Sequence, residues 1–555
     1  MQNHPRHSAP FLLALLLALL WLGFTPPAKA APAERAVQQQ LAVKVGQLRA
    51  SGGLYIQGLA IASGSLLPDF YAARDYAPVW AQAGRVAEVL ALLATAESHG
   101  LSSDDYYLSP LKALRQRVAS SEDAGLAADF DLLLTESLIR FGYHQRFGKV
   151  NPQRVESTWN FSRHFRAGQD PLHTLTDAVA APSLAGFLGQ WLDRAPLYRA
   201  LQERLAEYRE LAAAGGWSEV PDGPALKPGA TDARLSALRS RLIIAGDLPR
   251  TTPVPEFYDD DLVAGVQRFQ ARHALDADGV VGARTLAALN VPVSARIDQL
   301  RLSLERARWV LEDTAGEIVV VNVAGYEVFA ASNGVPFWRR RAVVGRQTRE
   351  TPIFKALITS LDLNPTWTVP PTILREDVLP KLRRDPGYLR REHIRVLDRN
   401  GRPVNAAAIN WQAAGNRPPY ILRQDPGPHN ALGRIKFVLP NAHSVYLHDT
   451  PSRSLFEKAE RNFSSGCIRV EDPLSLAEIL LADPDLWNRN ALEAAIETGK
   501  TRTVRLPKPW PILILYWTAE PDGEGRTRFL PDVYRRDPPL LQALNGAVVI
   551  DFPSL

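Results

Sequence analysis

The residues best equipped for chemistry in this sequence are a single cysteine and a histidine upstream of it. Cys467 is the one cysteine of the chain and lies in the string Ser464-Ser465-Gly466-Cys467-Ile468-Arg469. His448 lies 19 residues earlier and ends the string Ser444-Val445-Tyr446-Leu447-His448. A free thiol titrates at about pH 8.5, so it is a poor nucleophile at neutral pH unless a neighbouring imidazole takes its proton. The two residues therefore predict a thiolate–imidazolium pair and thiolate acyl transfer.

The string that ends at His448 alternates as a half-buried strand does. On such a strand Ser444, Tyr446 and His448 share one face, and His443 points to the opposite side. This alternation favours His448 over His443 as the base. The base needs a third group to fix its tautomer, and the backbone carbonyl and the carboxylate of Asp449 are the two candidates.

The glycine before the cysteine permits a tight turn and a close backbone approach. We expect the N–H groups of Ser465, Gly466 and Cys467 to face the oxyanion of a tetrahedral intermediate. On a strand Arg469 would share the face of Cys467 and could bind a substrate carboxylate. A buried ion pair that holds the loop is the alternative role for Arg469, and the sequence leaves both open.

The first thirty residues have the pattern of an export leader. Arg6 precedes the apolar run Phe11 to Phe24, and the small-x-small string Ala28-Lys29-Ala30 follows. We therefore expect a periplasmic protein with one thiol outside the reducing cytosol, and such a thiol usually has a partner or a function. Whether the leader is cleaved or stays as an inner-membrane tether is left open.

Composition excludes few classes but argues against a nucleic-acid binder. Apolar residues make up 46% and charged residues 22%, and the formal charge is +5. The arginines are scattered, whereas a nucleic-acid binder concentrates them in a stripe. The length predicts about three domains. A monomer is the default expectation.

The patterning predicts a multidomain α+β protein. We expect a leader at 1–30, a helical scaffold domain at 31–214, a small three-helix module at 230–292, a connecting helix at 293–315 and a β-rich domain at 316–500. Residues 501–555 would form an extension that packs back on the scaffold or on the β-rich domain. In the scaffold the spacing predicts helices at Arg85 to Ser98, Phe130 to Phe147 and Leu184 to Leu211. Three isolated histidines there are predicted to be packed or surface residues: His99, His144 and His164.

Residues 370–425 break the strand rhythm of the β-rich domain. They contain a helical patch, Pro371 to Arg384, and then loop-rich sequence. Long insertions often cover a functional site, so a lid over the substrate cleft is one interpretation. A stabilising surface excursion is the other.

Two parts of the sequence resemble known families. The three-helix module resembles the peptidoglycan-binding module of wall hydrolases through Val266-Gln267-Arg268-Phe269-Gln270 and Asp278-Gly279-x-x-Gly282-x-x-Thr285-Leu286; a spacer without affinity is the alternative. The cysteine string and His448-Asp449-Thr450-Pro451 resemble the signature of the L,D-transpeptidases. Further strings that resemble that family are Val344-Gly345-Arg346, Thr351-Pro352-Ile353-Phe354, Asn364-Pro365-Thr366-Trp367 and Gly427-Pro428-His429-Asn430-Ala431-Leu432-Gly433.

The resemblance implies a β-sandwich-like catalytic domain with an inserted lid, in the arrangement of the large Gram-negative members. It implies that Cys467 attacks the carbonyl between diaminopimelate and the terminal D-Ala of a tetrapeptide stem, and that His448 protonates the leaving D-Ala. A second stem's diaminopimelate amine then resolves the thioester into a 3–3 cross-link, and no metal or organic cofactor is implied. Substrate contacts are expected from Arg469, Tyr446, Ser464, Trp367 and Asn364. Ser465 stands where many family members have histidine.

Three alternatives remain at this stage. The same acyl-enzyme could pass to water, to a free D-amino acid or to a lipoprotein lysine. A sortase-type thiol transferase is a second alternative, but its cysteine usually follows a different string. A non-catalytic wall-binding protein with an inert core thiol is the third.

Overall fold

The computed structural model describes residues 32–51, 55–161, 170–192, 195–250 and 256–550. The predicted leader and His164 lie outside the described residues. The helices are α1 (Pro32–Ser51), α2 (Leu66–Ala73), α3 (Ala83–Ala94), α4 (Leu108–Ala119), α5 (Ala124–Phe147), α6 (Pro171–Ala180), α7 (Leu184–Leu192), α8 (Pro196–Ala213), α9 (Arg234–Ile244), α10 (Asp260–Arg272), α11 (Ala283–Leu289), α12 (Val293–Arg308), α13 (Pro371–Ile373), α14 (Leu379–Arg384), α15 (Tyr388–Arg391), α16 (Pro473–Leu481), α17 (Arg489–Glu497) and α18 (Asp537–Leu544). In the part of the chain that is described, no helix combines the length and apolar character that a bilayer span requires.

The strands are short in the scaffold and longer in the second half of the chain. They are β1 (Tyr55–Ile56), β2 (Leu59–Ala60), β3 (Glu317–Asn322), β4 (Glu327–Ser332), β5 (Val335–Gly345), β6 (Phe354–Leu363), β7 (Trp367–Thr368), β8 (Ile394–Leu397), β9 (Pro403–Val404), β10 (Ile421–Gln424), β11 (Ile435–Val438), β12 (Leu447–His448), β13 (Asn462–Ser464), β14 (Ile468–Val470), β15 (Arg502–Leu515), β16 (Ala519–Pro521) and β17 (Thr527–Phe529).

The scaffold is built around α5, which is buried on nearly all sides. Asp123 caps its N-terminus by accepting the Gly125 amide at 2.8 Å. Helices α1, α3, α4 and α7 pack around it, and buried polar residues such as Glu136 and Arg140 pair with each other at 2.6 Å. The predicted long helix from Leu184 to Leu211 is two helices, and Pro196 opens the second because proline fits a first helical turn. His99 and His144 are buried in this domain.

The three-helix module has its own core between α9, α10 and α11. Leu238, Val266 and Phe269 are fully buried there. The Gln270 amide donates to Asp278 at 2.9 Å and accepts the Gly279 amide at 2.9 Å, so the predicted motif residues hold the Asp-Gly turn against α10.

A nine-stranded mixed sheet forms the catalytic half of the chain, in the order β13-β5-β14-β12-β11-β6-β15-β3-β4. The first part of β5 pairs with β4, and its last residues pair with β14. The sheet therefore curls back through β5 and closes on itself. Apolar residues such as Val321, Leu361 and Ile512 fill the space between its two sides, which gives the sandwich-like core.

The domain boundary predicted at residue 500 is wrong for the sheet. Strand β15 is an internal strand of the nine-stranded sheet, where it pairs with β6 on one side and β3 on the other. The segment at 502–515 therefore belongs to the catalytic domain. The prediction failed because the local sequence does not show which strands β15 pairs with. Without that information, a strand of the sheet cannot be distinguished from a C-terminal extension of the domain. The hairpin β16–β17 and helix α18 then contact helices α8 and α12.

The inserted segment is a small subdomain, not the loop-rich stretch predicted. A four-stranded sheet, β7-β10-β8-β9, packs on α13 to α15 around a separate core that contains Val378, Leu382 and Leu422. Its strands are only two to four residues long. Strands of that length leave too little alternation for sequence patterning to detect.

Candidate active site

Cys467 lies in the turn between β13 and β14 and is half-buried. Gly466 has a φ of 111°, a conformation that side-chain-bearing residues rarely adopt, so glycine is required there. The Ser464 hydroxyl accepts the Gly466 amide at 3.1 Å and donates to the Cys467 carbonyl at 2.5 Å. These bonds fix the backbone on both sides of the thiol.

A second set of hydrogen bonds braces this turn from below. The Thr351 hydroxyl, fully buried, donates to the Gly466 carbonyl at 3.0 Å and accepts the Gly345 amide at 2.9 Å. The Tyr534 hydroxyl donates to the Gly345 carbonyl at 2.5 Å. The Thr-Pro string found in the sequence therefore supports the cysteine turn.

His448 comes to the same face of the sheet as Cys467. Strands β12 and β14 run parallel, with Leu447 opposite Ile468 and His448 opposite Arg469. Side chains alternate along a strand, so Tyr446, His448, Cys467 and Arg469 share one face. The rings of Tyr446 and His448 are 5.6 Å apart between centroids.

The strand predicted from Ser444 is shorter than expected. It starts at Leu447, and Ser444 adopts a φ of 56° in the turn before it. The Ser444 carbonyl instead accepts the Cys467 thiol at 3.9 Å. His443 is exposed and packs on Phe354, with 5.0 Å between ring centroids.

The backbone at Asp449 orients the His448 ring. His448 Nδ1 donates to the Asp449 carbonyl at 2.5 Å. The Asp449 carboxylate faces elsewhere: it accepts the Arg434 amide at 2.9 Å and the Arg453 guanidinium at 3.0 Å. Of the two orienting groups considered from the sequence, the carbonyl has the contact, which puts the ring proton on Nδ1.

The charge state differs from the predicted thiolate–imidazolium pair. Burial, and next the charge of Arg469, lower the pKa of His448 to about 3. Burial also raises the pKa of Cys467, against hydrogen bonds from Tyr446 and the charges of Lys436 and Arg469. Both shifts favour the uncharged forms, so the free protein holds a thiol and a neutral imidazole.

The oxyanion donors also differ in part from the prediction. The Gly466 N–H is used by Ser464, and the exposed Ser465 hydroxyl accepts Arg349 at 2.9 Å. Among the described residues, the backbone N–H groups of Ser465 and Cys467 have no acceptor. These two N–H groups are therefore the backbone donors that remain available beside the sulfur.

Two cations lie on the face of the thiol, and sequence patterning found only one of them. Lys436, on β11, lies opposite His448, and its ammonium group is 4.6 Å from the centre of the Tyr446 ring. Arg469 lies opposite His448 on the other side. The signal for Lys436 was one charged residue in the apolar strand Ile435–Val438, but the register that brings it to His448 cannot be read locally. Trp367 hydrogen-bonds the Tyr446 side chain.

Two residues predicted to contact substrate have structural contacts instead. Ser464 is buried, and its hydroxyl holds the cysteine turn. Asn364 is also buried, and its amide donates to the Ile496 carbonyl at 2.9 Å and the Lys500 carbonyl at 3.2 Å. Both side chains are thus engaged within the protein.

The inserted subdomain is tied to the cysteine turn through Arg349. Its guanidinium forms ion pairs with Asp377 and, at 2.5 Å, with Glu376, both on the helical part of the insertion. The same guanidinium donates to Ser465 beside the thiol. The insertion is therefore linked to the cysteine turn through Arg349.

A separate apolar cavity of about 650 Å³ lies between the scaffold and the back of the sheet. Tyr198, Val320, Phe329 and Trp517 are among its lining residues, and Cys467 and His448 are not. Its lining contains neither a cysteine nor a histidine.

Three family models match successive parts of the chain. A "Scaffold domain" matches residues 65–205, a "Putative peptidoglycan binding domain" matches 231–289, and an "L,D-transpeptidase catalytic domain" matches 316–503. The chain thus combines, in this order, regions that match a scaffold domain, a peptidoglycan-binding domain and an L,D-transpeptidase catalytic domain. Domains that act on peptidoglycan indicate a place outside the cytoplasm.

A curated relative gives the same assignment. The chain is 34% identical over 239 residues to a "Putative L,D-transpeptidase" of Haemophilus influenzae, which covers 43% of this chain and 48% of the relative. The chain thus matches about half the length of that relative. A solved structure of an L,D-transpeptidase from Xylanimonas cellulosilytica is 14% identical and covers 54% of this chain and 100% of its own, with a TM-score of 0.19.

Proposed function

We propose that this protein is a cysteine-dependent L,D-transpeptidase that forms 3–3 cross-links between diaminopimelate residues of peptidoglycan. One observation carries the proposal. In a region that matches the L,D-transpeptidase catalytic domain, the single cysteine, Cys467, shares a sheet face with His448, whose Nδ1 is held by a carbonyl, and this arrangement supports a thiol–imidazole pair.

Acylation begins when Nε2 of His448 takes the proton of the Cys467 thiol. The sulfur attacks the carbonyl between diaminopimelate and D-Ala, and the N–H of Cys467 stabilises the oxyanion. The carbon–nitrogen bond breaks, and His448 returns the proton to the amine of the leaving D-Ala. The product is a thioester on Cys467.

Transfer repeats these steps with a second stem. The diaminopimelate amine of the acceptor loses a proton to His448 as it attacks the thioester. The carbon–sulfur bond breaks, the new amide is the 3–3 link, and the sulfur regains the proton. A cover over the site would keep water from the thioester, and the insertion held by Arg349 is suited to that role.

The remaining site residues take binding or positioning roles in this proposal. Tyr446, Trp367 and Arg469 contact the substrate, because they lie at the thiol face and have polar groups there. Ser464 and Asn364 act through the backbone that they hold. We further propose that the protein works in the periplasm as a monomer, with the leader either cleaved or kept as a tether.

The test is incubation of the purified protein with a disaccharide-tetrapeptide and mass spectrometry of the products. We expect free D-Ala and a 3–3 dimer, and neither product with Cys467→Ala. Formation of tripeptide without dimer would show that water is the acceptor. Formation of a D-amino acid adduct would show that a free D-amino acid is the acceptor. Equal products from the wild type and Cys467→Ala would refute the cysteine mechanism.

Transfer to a lysine of an outer-membrane lipoprotein is tested in a separate reaction. Adding a peptide with a C-terminal lysine to the same reaction distinguishes anchoring from cross-linking. A lysine adduct formed in preference to the dimer would contradict the proposed acceptor.

A further inference from the structure

A row of three basic side chains crosses the sheet beside the thiol. Lys436 on β11, His448 on β12 and Arg469 on β14 are successive partners across neighbouring strands. Tyr446 and Cys467 form the adjacent row on the same face. His448 therefore has a cation on each side.

Neither of these cations has an acidic partner within the described residues, although the Lys436 ammonium group lies over the Tyr446 ring. No ion pair is formed there by Lys436 or Arg469, whereas Arg341 pairs with two glutamates. The Arg469 Nε atom is buried without a hydrogen-bond acceptor. The nearest acid, Asp449, is turned towards Arg453. Partly buried cations are costly unless an anion pairs with them, so this face is built for an anion from outside.

We infer that Lys436 and Arg469 bind the carboxylate of the amino acid that leaves the donor in the acylation step. This inference rests on the proposed function. It adds a site at which the enzyme distinguishes a free carboxyl terminus from a chain that continues.

The position of the leaving group follows from the two catalytic atoms. The scissile carbon must lie at the Cys467 sulfur, and the leaving nitrogen must lie where His448 can protonate it. The carboxylate is attached to the carbon next to that nitrogen, so it falls on the row that contains Lys436 and Arg469. If another residue followed, a neutral peptide group would stand there and the carboxylate would lie three bonds farther away.

The same contact would help the proton transfer. The charged groups that face the His448 ring are Lys436 and Arg469, while Cys467 and Tyr446 are neutral in the free protein. Arg469 and Lys436 each oppose protonation of the ring. A bound carboxylate offsets their charge and so favours the imidazolium that forms when His448 takes the thiol proton.

The experiment compares two donors with the full protein. One is the disaccharide-tetrapeptide with a free D-Ala carboxylate, and the other is its terminal carboxamide. The measured quantity is kcat/KM for release of D-Ala or D-alaninamide. We expect the carboxamide to be about 10- to 100-fold poorer, the range that a hydrogen bond to a charged group supports.

Substitutions test whether Arg469 and Lys436 bind the carboxylate of the leaving D-Ala. Arg469→Gln and Lys436→Gln should each lower turnover of the free acid far more than that of the carboxamide, so the acid-to-amide ratio falls towards one. Arg469→Lys should keep part of the ratio because it keeps the charge. Arg505→Gln, at an exposed position of β15, is the matched control and should leave the ratio unchanged.

The remaining outcomes distinguish a failure of this inference from a failure of the proposed function. A wild-type ratio near one, with D-Ala release that still depends on Cys467, overturns this inference alone. Equal losses on both donors in Arg469→Gln and Lys436→Gln assign these residues a structural role and also overturn it. No release from either donor by the wild type overturns the proposed function instead.

Discussion

At the residue scale, the geometry distinguishes His448, the proposed base, from His443, its neighbour in sequence. His448 is buried with Nδ1 bound to a carbonyl, whereas His443 is exposed. Only the first shares the face of Cys467. The proposed roles therefore predict that an alanine substitution lowers activity at His448 but not at His443.

We expect His448→Ala to lower D-Ala release by about 10²- to 10⁴-fold, the usual loss of a general base. His443→Ala, the matched control, should retain activity. Release is measured by mass spectrometry, and the thermal midpoint checks that both variants fold. Activity in His448→Ala, or its loss in His443→Ala, would move the base elsewhere.

The raised pKa of Cys467 predicts a thiol that is slow to alkylate at neutral pH. The thiolate fraction grows as the pH rises through that pKa, so the rate with iodoacetamide should increase steadily above pH 8. Cys467 is the one thiol of the chain, and Cys467→Ala gives the background. A rate that is already constant between pH 6 and 8 would instead show a preformed ion pair.

At the element scale, the cysteine turn depends on strands that are distant in sequence. Thr351 precedes β6 and reaches the Gly466 carbonyl, and Tyr534 follows β17 and holds Gly345 at the end of β5. A Cβ on Gly345 would collide with the backbone of Arg349. The Gly466–Cys467 peptide, and with it the Cys467 N–H, is thus set by tertiary contacts.

We expect Thr351→Val to slow acylation by a tetrapeptide donor about 10- to 100-fold, approaching the loss of an oxyanion donor. Alkylation by iodoacetamide should change little, because it forms no tetrahedral oxyanion. Thr351→Ser keeps the hydroxyl and should keep the acylation rate. If acylation and alkylation fall equally in Thr351→Val, the brace supports only the fold.

Sequence patterning predicted the elements that have strong local signals. Alternation placed Tyr446 and His448 on one face, and helical spacing located α3 and α5. It could not supply register between strands, so Lys436 was missed. It also could not place β15, whose neighbours β3 and β6 are more than a hundred residues earlier in the chain.

At the scale of the whole molecule, the peptidoglycan-binding module is joined closely to the catalytic half. Arg272 donates to the Thr527 carbonyl at 2.6 Å, and the His273 ring lies between Phe269 and Phe529. Arg284 pairs with Glu460 at 2.8 Å, close in sequence to β13. Wall binding and chemistry therefore share one framework.

Buried histidines across this framework predict loss of stability in acid. Burial lowers the pKa of His99 and His448 to about 3 and that of His273 well below its usual 6.5. Below pH 6.5 the unfolded chain binds protons that the folded chain does not. The free energy of unfolding should therefore fall on acidification from pH 7 towards pH 4, by up to about 1.4 kcal/mol per pH unit for each histidine.

The measurement is urea denaturation followed by tryptophan fluorescence across that pH range. His273→Gln removes one titrating group and should reduce the pH dependence by about the share of one histidine. His173→Gln, which changes an exposed histidine, is the control. A midpoint that does not move between pH 7 and pH 5 would contradict the assignment of buried neutral rings.

Strand β15 has a consequence for how the enzyme comes into being. Because it bridges β6 and β3, a chain delivered from its N-terminus holds an open sheet with bare edges at these two strands until β15 is made. Closure of the sheet requires contacts between strands that are far apart in the sequence, and such contacts form slowly. Activity is thereby withheld from nascent molecules, and a chaperone that shields sheet edges would be most needed in that interval.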